Sequence, residues 1–427
     1  MKLTKNKILI IIVVMILTIG LTFGTKQKKL INAVKEENIV KVKELIKDGT
    51  IIDPKSAYTD SLLNIALKEE NPEIISILIE SGANIYGDSI LTWAIEEKYL
   101  QLVKLLIKRG INIDNNDFIR AVDDSSPEIV KILIKAGANV NAVGTDNQTA
   151  LFYALSDEWD YGNPEIVKLL IDGGADINIK DKYNRTPLMY AAMYGDKEIA
   201  KLLIEAGADV NAKVDYGGPT VLMWAALPNT STKYKKEGIV RLLINKGANV
   251  NAKTDDGNGT ALMNSLIGSE PGSELKLKPE LKVVKILIEA GAEINFKNRD
   301  GGPTPLMMAA SYASPEIVKT LVEAGADVNL ANDGYTALMD AVQYEKLEVV
   351  KVLIEAGANV NIKTNDYGFT PLIEAVSLDN EEITKVLIEA GANVNAKDNF
   401  NRTVLISSEK FGSEETTKLL IKAGAKY

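Results

Sequence analysis

The stretch Leu202–Lys213 reads LLIEAGADVNAK, and Val352–Lys363 repeats it almost letter for letter as VLIEAGANVNIK. In both, an apolar segment with helical spacing ends at a glycine, which readily takes the left-handed conformation found at many helix ends. The same glycine recurs at a mean spacing of roughly 34 residues, a period typical of stacked repeats. Its positions are Gly49, Gly82, Gly110, Gly137, Gly174, Gly207, Gly247, Gly291, Gly325, Gly357, Gly391 and Gly424. Repetition of this kind predicts an extended surface rather than one catalytic centre.

Each unit has the same internal pattern. Ile199, Leu202 and Leu203 lie at i, i+3 and i+4, which predicts one apolar face of a helix that ends before Gly207. In the segment Thr186–Ala192, which reads TPLMYAA, the threonine is a natural N-cap and the proline suits the first helical position. The pattern predicts a turn and two antiparallel helices in each unit, with an apolar side that the next unit covers.

The composition argues against several kinds of site. The chain has 427 residues, 46% of them hydrophobic, and its net charge of −9 opposes binding to nucleic-acid phosphates. It contains neither cysteine nor histidine, which removes disulfides, thiol nucleophiles, Cys/His zinc sites and the commonest general base. The sequence also carries no phosphate-binding loop and no nucleophile-elbow motif. We therefore expect no enzymatic activity, no metal and no cofactor.

The aspartates of the turns are the remaining candidates for chemistry. They are Asp181, Asp215, Asp255, Asp256, Asp300, Asp333, Asp366 and Asp398. Two carboxylates close together could exchange protons or hold calcium. The alternative is that each side chain accepts hydrogen bonds from backbone N–H groups of its own turn, which is common beside asparagine and glycine. We expect this structural role.

The N-terminus combines a basic start with an apolar run. Lys2, Lys5 and Lys7 precede Ile8–Gly24, which carries no charge. As a helix this run would reach about 25 Å, slightly less than the hydrocarbon core of a bilayer, so it fits a cleaved signal peptide, an uncleaved anchor or a buried helix. We predict residues 1–25 as a signal peptide or single-pass membrane anchor and residues 26–427 as the repeat domain. The repeat domain would then lie outside the cytoplasm, either anchored in the cell envelope or secreted.

The repeated motifs resemble those of the ankyrin-repeat family, of the bacterial type that has an N-terminal signal or anchor segment. The T-P-L-x-x-A signature begins at Thr186, Thr304 and Thr370, with variants at Thr149, Thr220, Thr260, Thr336 and Thr403. The pattern E-I-V-K-x-L-I-x-A-G-A-x-V-N accompanies it, and the resemblance covers residues 26–427. It implies an all-α solenoid of about 12 stacked helix-turn-helix repeats with β-turn tips, preceded here by one apolar helix.

One position departs from the family pattern. Where the family usually has histidine after T-P-L, this chain has Met189, Met223, Met263, Met307, Met339, Ile373 or Ile406. In the family that histidine helps to connect turn and helix by hydrogen bonds. We expect apolar packing to replace those hydrogen bonds here, and we interpret the methionines as core residues.

Aromatic side chains mark the candidate binding surface. The resemblance implies that partners contact the turn tips and the inward ends of the first helices. The tips carry Tyr183, Tyr216, Tyr335, Tyr367, Phe369 and Phe400, and the first helices end near Tyr194, Tyr312 and Tyr344. Exposed tyrosine is enriched at interaction hot spots, so equivalent positions of successive repeats would form one aromatic stripe. The alternative is that these tyrosines only cap the edges of the helical core.

A second register supplies further candidates. In each first helix, one position lies directly before a recurring alanine, as Tyr190 lies before Ala191. This position holds Trp93, Tyr190 and Trp224 in three repeats and Asp340 and Glu374 in two others. Because it accepts both aromatic and acidic side chains, we expect it to be half exposed. Two insertions, at residues 228–237 and 268–279, separate paired helices and are either binding loops or tolerated additions.

The expected function is a non-enzymatic scaffold that binds a protein partner through the inner face and tips of an exported or membrane-tethered array. The acidic tips favour a partner with basic and apolar character. We expect a monomeric array, with membrane contact through residues 8–24 if they are not cleaved. The alternative is a secreted effector or inhibitor that blocks a target enzyme after signal cleavage.

Overall fold

The computed structural model describes residues 25–50, 52, 62–85, 89–124, 126–144, 148–155, 162–228, 235–257, 259–269, 277–297 and 301–427. The chain divides into two compact units. The first ends at Thr145 and also includes Asp172–Ala175, and the second consists of Asp146–Ile171 and Asp176–Tyr427. The apolar run at residues 8–24 lies outside the described residues. None of the described helices is long and apolar enough to cross a membrane.

The described elements are helices joined by turns, which confirms the all-α prediction. In the first unit they are α1 (residues 25–35), α2 (Ile39–Lys47), α3 (Leu62–Lys68), α4 (Pro72–Glu80), α5 (Ser89–Glu96), α6 (Leu100–Lys108), α7 (Asn115–Asp123) and α8 (Pro127–Lys135). The second unit begins with α9 (Ala150–Leu155), α10 (Pro164–Asp172), α11 (Pro187–Tyr194), α12 (Lys197–Glu205), α13 (Val221–Ala226), α14 (Glu237–Asn245), α15 (Ala261–Ser265) and α16 (Leu281–Glu289). It continues with α17 (Pro305–Tyr312), α18 (Pro315–Glu323), α19 (Ala337–Gln343), α20 (Leu347–Glu355), α21 (Pro371–Ser377), α22 (Glu381–Glu389), α23 (Val404–Phe411) and α24 (Glu414–Lys422).

Threonine side chains cap most first helices of the second unit, as their position in the motif predicts, whereas the hydroxyls of Thr149 and Thr336 make no such hydrogen bond in the described chain. The Thr186 hydroxyl accepts the backbone N–H of Met189, and Thr304 does the same for Met307. Such an N-cap satisfies one of the N–H groups that a helix start leaves unpaired. The threonines themselves are buried, so the cap also closes the core at the base of the tip.

The methionines that replace the family's histidine do more than pack, and here our expectation was incomplete. The sulfur atoms of Met189, Met223 and Met307 each accept the backbone N–H of the capping threonine at 3.4 Å. Because that N–H is buried, an apolar side chain at this position would leave it without a partner. Methionine therefore supplies both the core contact and a weak hydrogen-bond acceptor.

The second helices bury one face and end at a left-handed glycine. In α12 the buried residues are Ile199, Ala200 and Leu203, and the helix ends before Gly207, whose φ is 99°. The helix packs against α11 of its own repeat and α14 of the next. This is the arrangement expected when each copy covers the apolar side of its neighbour.

An asparagine ladder connects the repeats of the second unit at their turns. Its members are Asn178, Asn211, Asn251, Asn295, Asn329, Asn361 and Asn395. In each, the side-chain amide donates to the carbonyl of the next repeat's helix-ending glycine, as Asn329 does to Gly357 at 3.1 Å. Its oxygen accepts the N–H two residues beyond that glycine, as from Asn359 at 2.7 Å. One side chain thus fixes the register between two repeats.

Candidate partner-binding surface

The tip aromatics of the second unit stand in solvent, as the motif register predicts. Tyr216 is fully exposed, and Tyr183, Tyr335, Tyr367 and Phe400 are exposed by 57%, 38%, 52% and 62%. Phe369 is half-buried. These large side chains are left in water, and they are available to a partner. The two tips between Tyr216 and Tyr335 carry no aromatic residue.

Tyr216 has the most unusual backbone of the tip aromatics. Its φ of 57° lies in the left-handed region, which side chains of this size seldom adopt. The neighbouring repeat explains the local constraint, because the Asp255 N–H donates to the Gly217 carbonyl at 2.8 Å and a side chain at Gly217 would meet Asp255 at 2.0 Å. The two tips thus meet at Gly217, while the Tyr216 side chain stays in solvent.

A small aromatic cluster forms where two further tips meet. The Tyr367 ring lies 5.7 Å from that of Phe369 and 6.3 Å from that of Phe400, measured between ring centroids. Asn399 holds the tips together, since its N–H donates to the Tyr367 carbonyl at 2.9 Å and its side chain donates to the Asp366 carbonyl at 2.7 Å. These three rings form a preorganised apolar patch that a partner could bind with little loss of conformational entropy.

Two tips share the motif D-x-[YF]-N-R-T, at Asp181–Thr186 and Asp398–Thr403. In the first, one carboxylate oxygen of Asp181 accepts the N–H groups of Tyr183 and Arg185, and the other accepts Arg185 Nε at 2.9 Å. Asp398 repeats this pattern with Arg402. Burial raises the pKa of both carboxyls, but these hydrogen bonds outweigh it, and the net shift is downward. The motif therefore serves the structure of the tip, as expected for the turn aspartates.

Tyr190 is a correction to the prediction of a half-exposed partner contact. It is only 5% exposed, because its hydroxyl donates to Asp181 at 2.9 Å and its ring meets that of Phe152 edge-on at 5.2 Å. Burial, and next the hydrogen bond to Asp181, raise the pKa of its phenol to about 12. The register alone could not show this burial, since the interaction joins Tyr190 to a tip nine residues earlier.

The tyrosines at the ends of the first helices are half-buried and support neighbouring structure. The hydroxyls of Tyr312 and Tyr344 lie 3.1 Å apart, with ring centroids at 5.3 Å. A side chain at Gly268, at the base of the second insertion, would meet Tyr312 at 2.4 Å. Tyr194 lies 6.3 Å from Tyr190, ring to ring. Of the two interpretations that the sequence left open, these contacts favour capping for these three tyrosines, and binding at the tips stays a prediction.

The remaining aromatic candidates lie in the two units separately. Trp93, in the first unit, is half-buried, and its ring lies 5.2 Å from that of Tyr99 between centroids, with the planes tilted by 45°. Trp224, in the second, is half-buried, and its indole N–H is buried without a hydrogen-bond partner. Both match the half-exposed state expected of this register.

Carboxylates occupy the same register further along. Asp340 on α19 and Glu374 on α21 are half-buried, and burial raises the pKa of both, that of Asp340 to about 7. Asp340 lines an open cavity of about 550 Å³ with Tyr335 and Asp366 from two tips. The surface beside the tips is thus acidic as well as aromatic.

Lys236 is a residue that the sequence pattern did not single out. It ends the first insertion and is 1% exposed, and its ammonium donates to the carbonyls of Ala192 at 2.9 Å and Met193 at 2.5 Å. Burial lowers the pKa of this amine to about 8. The end of the insertion is therefore attached to the preceding repeat through Lys236. The sequence pattern gives no sign of this contact, apart from the positive charge of Lys236 next to the start of a helix.

The other turn aspartates show local or ionic partners. Asp215 pairs with Lys180 at 2.5 Å, and Asp255 pairs with Lys213. Thr254 donates to Asp256, whereas Asp300 lies outside the described residues. Over the described part of the chain, no group of three or more acidic side chains is placed so that it could hold a metal ion.

Comparison with known families accounts for the architecture. The family model of Ankyrin repeats (3 copies) matches residues 30–117, 118–214, 276–364 and 358–427, and that of Ankyrin repeat matches residues 217–255. No curated protein matches the chain. Ankyrin repeats generally mediate protein–protein interaction and are generally non-enzymatic. With matches over most of its length, the chain belongs to the ankyrin-repeat family.

Proposed function

We propose that this chain is a non-enzymatic array that binds a protein partner through its exposed tip aromatics. The observation that carries the proposal is the exposure of aromatic side chains on two groups of tips of the second unit, Tyr183 and Tyr216 in the first group and Tyr335, Tyr367 and Phe400 in the second. Rigid aromatic side chains supply large contact areas at low entropic cost, which makes them frequent hot spots. The tip-to-tip hydrogen bonds hold these rings in place before a partner arrives.

Further parts of the proposal concern the setting of the array. We propose a monomeric array of about 12 repeats, of the bacterial type, exported and held at the membrane by the apolar run at residues 8–24. The support is the basic start before that run and the recurrence of the helix-ending glycines at a mean spacing of roughly 34 residues. Cell fractionation tests the anchor: the intact chain should sediment with the envelope, whereas recovery in the medium would favour the secreted inhibitor instead.

Affinity capture tests the binding surface. The full-length chain and a variant with Tyr183, Tyr216, Tyr367 and Phe400 changed to alanine are used to capture proteins from envelope extracts. We expect the native chain to retain a specific protein that the variant loses. Because all four residues are exposed, both forms should unfold at similar temperature.

The matched control removes exposed apolar side chains elsewhere. Phe411, Ile421 and Tyr427 are 49%, 54% and 73% exposed in the last repeat, and none of them lies on a turn tip. Their replacement by alanine should leave capture unchanged. Equal retention by the native chain and the tip variant would reject the tips as the binding surface.

A further inference from the structure

Two half-buried carboxylates face no positive charge from any residue that the structure describes. Asp340 and Glu374 hold the same position in consecutive first helices, α19 and α21. Neither takes part in the hydrogen bonds or ion pairs of the described chain, and burial alone shifts the pKa of each. An unpaired charge in such a place is unfavourable for the free protein, and a cation that arrived with a partner would compensate it.

The turn tips complete a pocket around Asp340. The cavity of about 550 Å³ is bounded by Tyr335 and Asp366, and Tyr335 donates its phenolic hydrogen to Asp366 at 3.3 Å. After burial, the negative charges of Asp366 and Glu374 are among the causes that raise the pKa of Tyr335, so both carboxylates act on this ring. Glu374 is not part of the cavity lining, and it belongs to the site through the effect of its charge on Tyr335. We call the site formed by Asp340, Asp366 and Tyr335, with Glu374 beside it, the acidic pocket.

We propose that the acidic pocket receives an arginine or lysine side chain from an extended segment of the protein partner. Charge complementarity carries the choice, because none of the three carboxylates forms an ion pair with another residue of the described chain. The exposed Tyr335 ring adds a surface on which a guanidinium or ammonium group is attracted. The exposed Tyr367 and Phe400 patch next to it suits apolar side chains of the same segment.

The arrangement favours an organic cation over a metal ion. The described chain holds no group of three or more acidic side chains close enough for metal coordination. An arginine fork or a lysine ammonium, by contrast, reaches separated carboxylates at the end of a long side chain. This inference rests on the proposed protein-binding function and adds the charge of the bound segment to it.

Fluorescent peptides test the pocket directly. The probe is a labelled peptide Gly-Ser-Arg-Arg-Gly-Ser, and its twin carries citrulline in place of arginine, which keeps the shape and removes the charge. Fluorescence anisotropy with the full-length chain at pH 8 should show the arginine peptide binding about tenfold more tightly than the citrulline peptide. The double variant Asp340→Asn/Glu374→Gln should lose this preference. It should unfold at no lower temperature than the native chain, because the substitutions remove unpaired charges.

A charge-matched control separates the pocket from general attraction to an acidic protein. Glu355 and Glu389 are exposed at the last positions of α20 and α22, so Glu355→Gln/Glu389→Gln makes the same change in net charge. This variant should keep the full arginine preference. Equal losses in both double variants, or no arginine preference in the native chain, would overturn the proposal.

The outcomes also separate this inference from the proposed function. A chain that captures a protein through its tip aromatics but does not distinguish the two peptides would overturn the acidic pocket and leave the function intact. Loss of the arginine preference in Asp340→Asn/Glu374→Gln, with no protein captured through the tips, would support the pocket and reject the function.

Discussion

At the residue scale, buried charge shows where this array departs from a plain stack of repeats. Lys236 is buried and Asp340 is half-buried, and the two side chains have opposite charges and different surroundings. Lys236 donates to two carbonyls at the end of α11, whereas Asp340 has no partner in the described chain. The first therefore contributes to the folded structure, and the second lowers its stability at neutral pH while remaining available to a ligand.

Replacing Lys236 should destabilise the second unit. Lys236→Met removes the donor to two carbonyls, which should lower the free energy of unfolding by about 1–3 kcal/mol. The folded pKa of about 8 lies below the ordinary value of 10.5, so between these values only the unfolded chain holds the proton. The stability contributed by Lys236 should therefore rise from pH 7 to pH 9.5. Urea unfolding measures this, with the exposed Lys235→Met as control. An equal loss in both variants would contradict the role of the buried amine.

Neutralising Asp340 should have the opposite effect. Burial raises its folded pKa to about 7 from 3.8, so its stabilising contribution is complete below about pH 4 and is lost as the pH rises through 7. Asp340→Asn should therefore unfold at a higher temperature than the native chain at pH 8 and at nearly the same temperature at pH 4. If the melting temperatures of the native chain and of Asp340→Asn depend on pH in the same way, the pKa of Asp340 is not raised by burial.

At the element scale, the asparagine ladder connects each repeat to the next with two hydrogen bonds. Asn329, for example, joins the tip that follows α18 to the glycine that ends α20. The ladder is exposed, so water competes for both hydrogen bonds and each contributes modestly. Because the same two hydrogen bonds recur along the second unit, their combined contribution helps to fix the register between repeats.

Truncating one ladder residue should weaken one interface. Asn329→Ala should lower the free energy of unfolding by about 1–2 kcal/mol, since two hydrogen bonds are lost. Asn329→Asp keeps the oxygen that accepts from Asn359 and loses the donor to Gly357, so it should cause about half that loss. Chemical denaturation measures both, and hydrogen exchange should show faster exchange at the Asn359 N–H in the alanine variant. An aspartate variant as unstable as the alanine variant would contradict separate contributions of the two hydrogen bonds.

The elements also show how far the sequence predicts the structure. The helix starts at Thr186 and Thr304 follow from local capping chemistry, and the ends at left-handed glycines follow from backbone sterics, so both are readable from short motifs. The burial of Tyr190 depends on Asp181, and that of Lys236 on carbonyls some forty residues earlier. Such contacts depend on how the turns and insertions fold back onto other repeats. Comparing equivalent positions of the repeats in the sequence gives no information about that.

At the scale of the whole molecule, the residues that stabilise the repeats differ from the residues that are exposed for binding. The second unit fixes its helices by burial and by the ladder, while the tips carry rings that the core does not use. The sequence predicted the tips as binding residues because their aromatics vary within a regular frame. It predicted one continuous stripe, whereas the ends of the first helices carry tyrosines with supporting contacts and leave the tips as the exposed surface.

Site-specific photocrosslinking in intact cells tests whether a protein partner contacts the tip aromatics. A photoreactive phenylalanine analogue replaces Tyr216 or Tyr367 on the tips, or Ile421 on the outer helix α24 as control. We expect one crosslinked protein, the same from both tip positions, and no such product from Ile421. Crosslinks that are absent at the tips, or identical at all three positions, would contradict a partner-binding surface built from the tip aromatics.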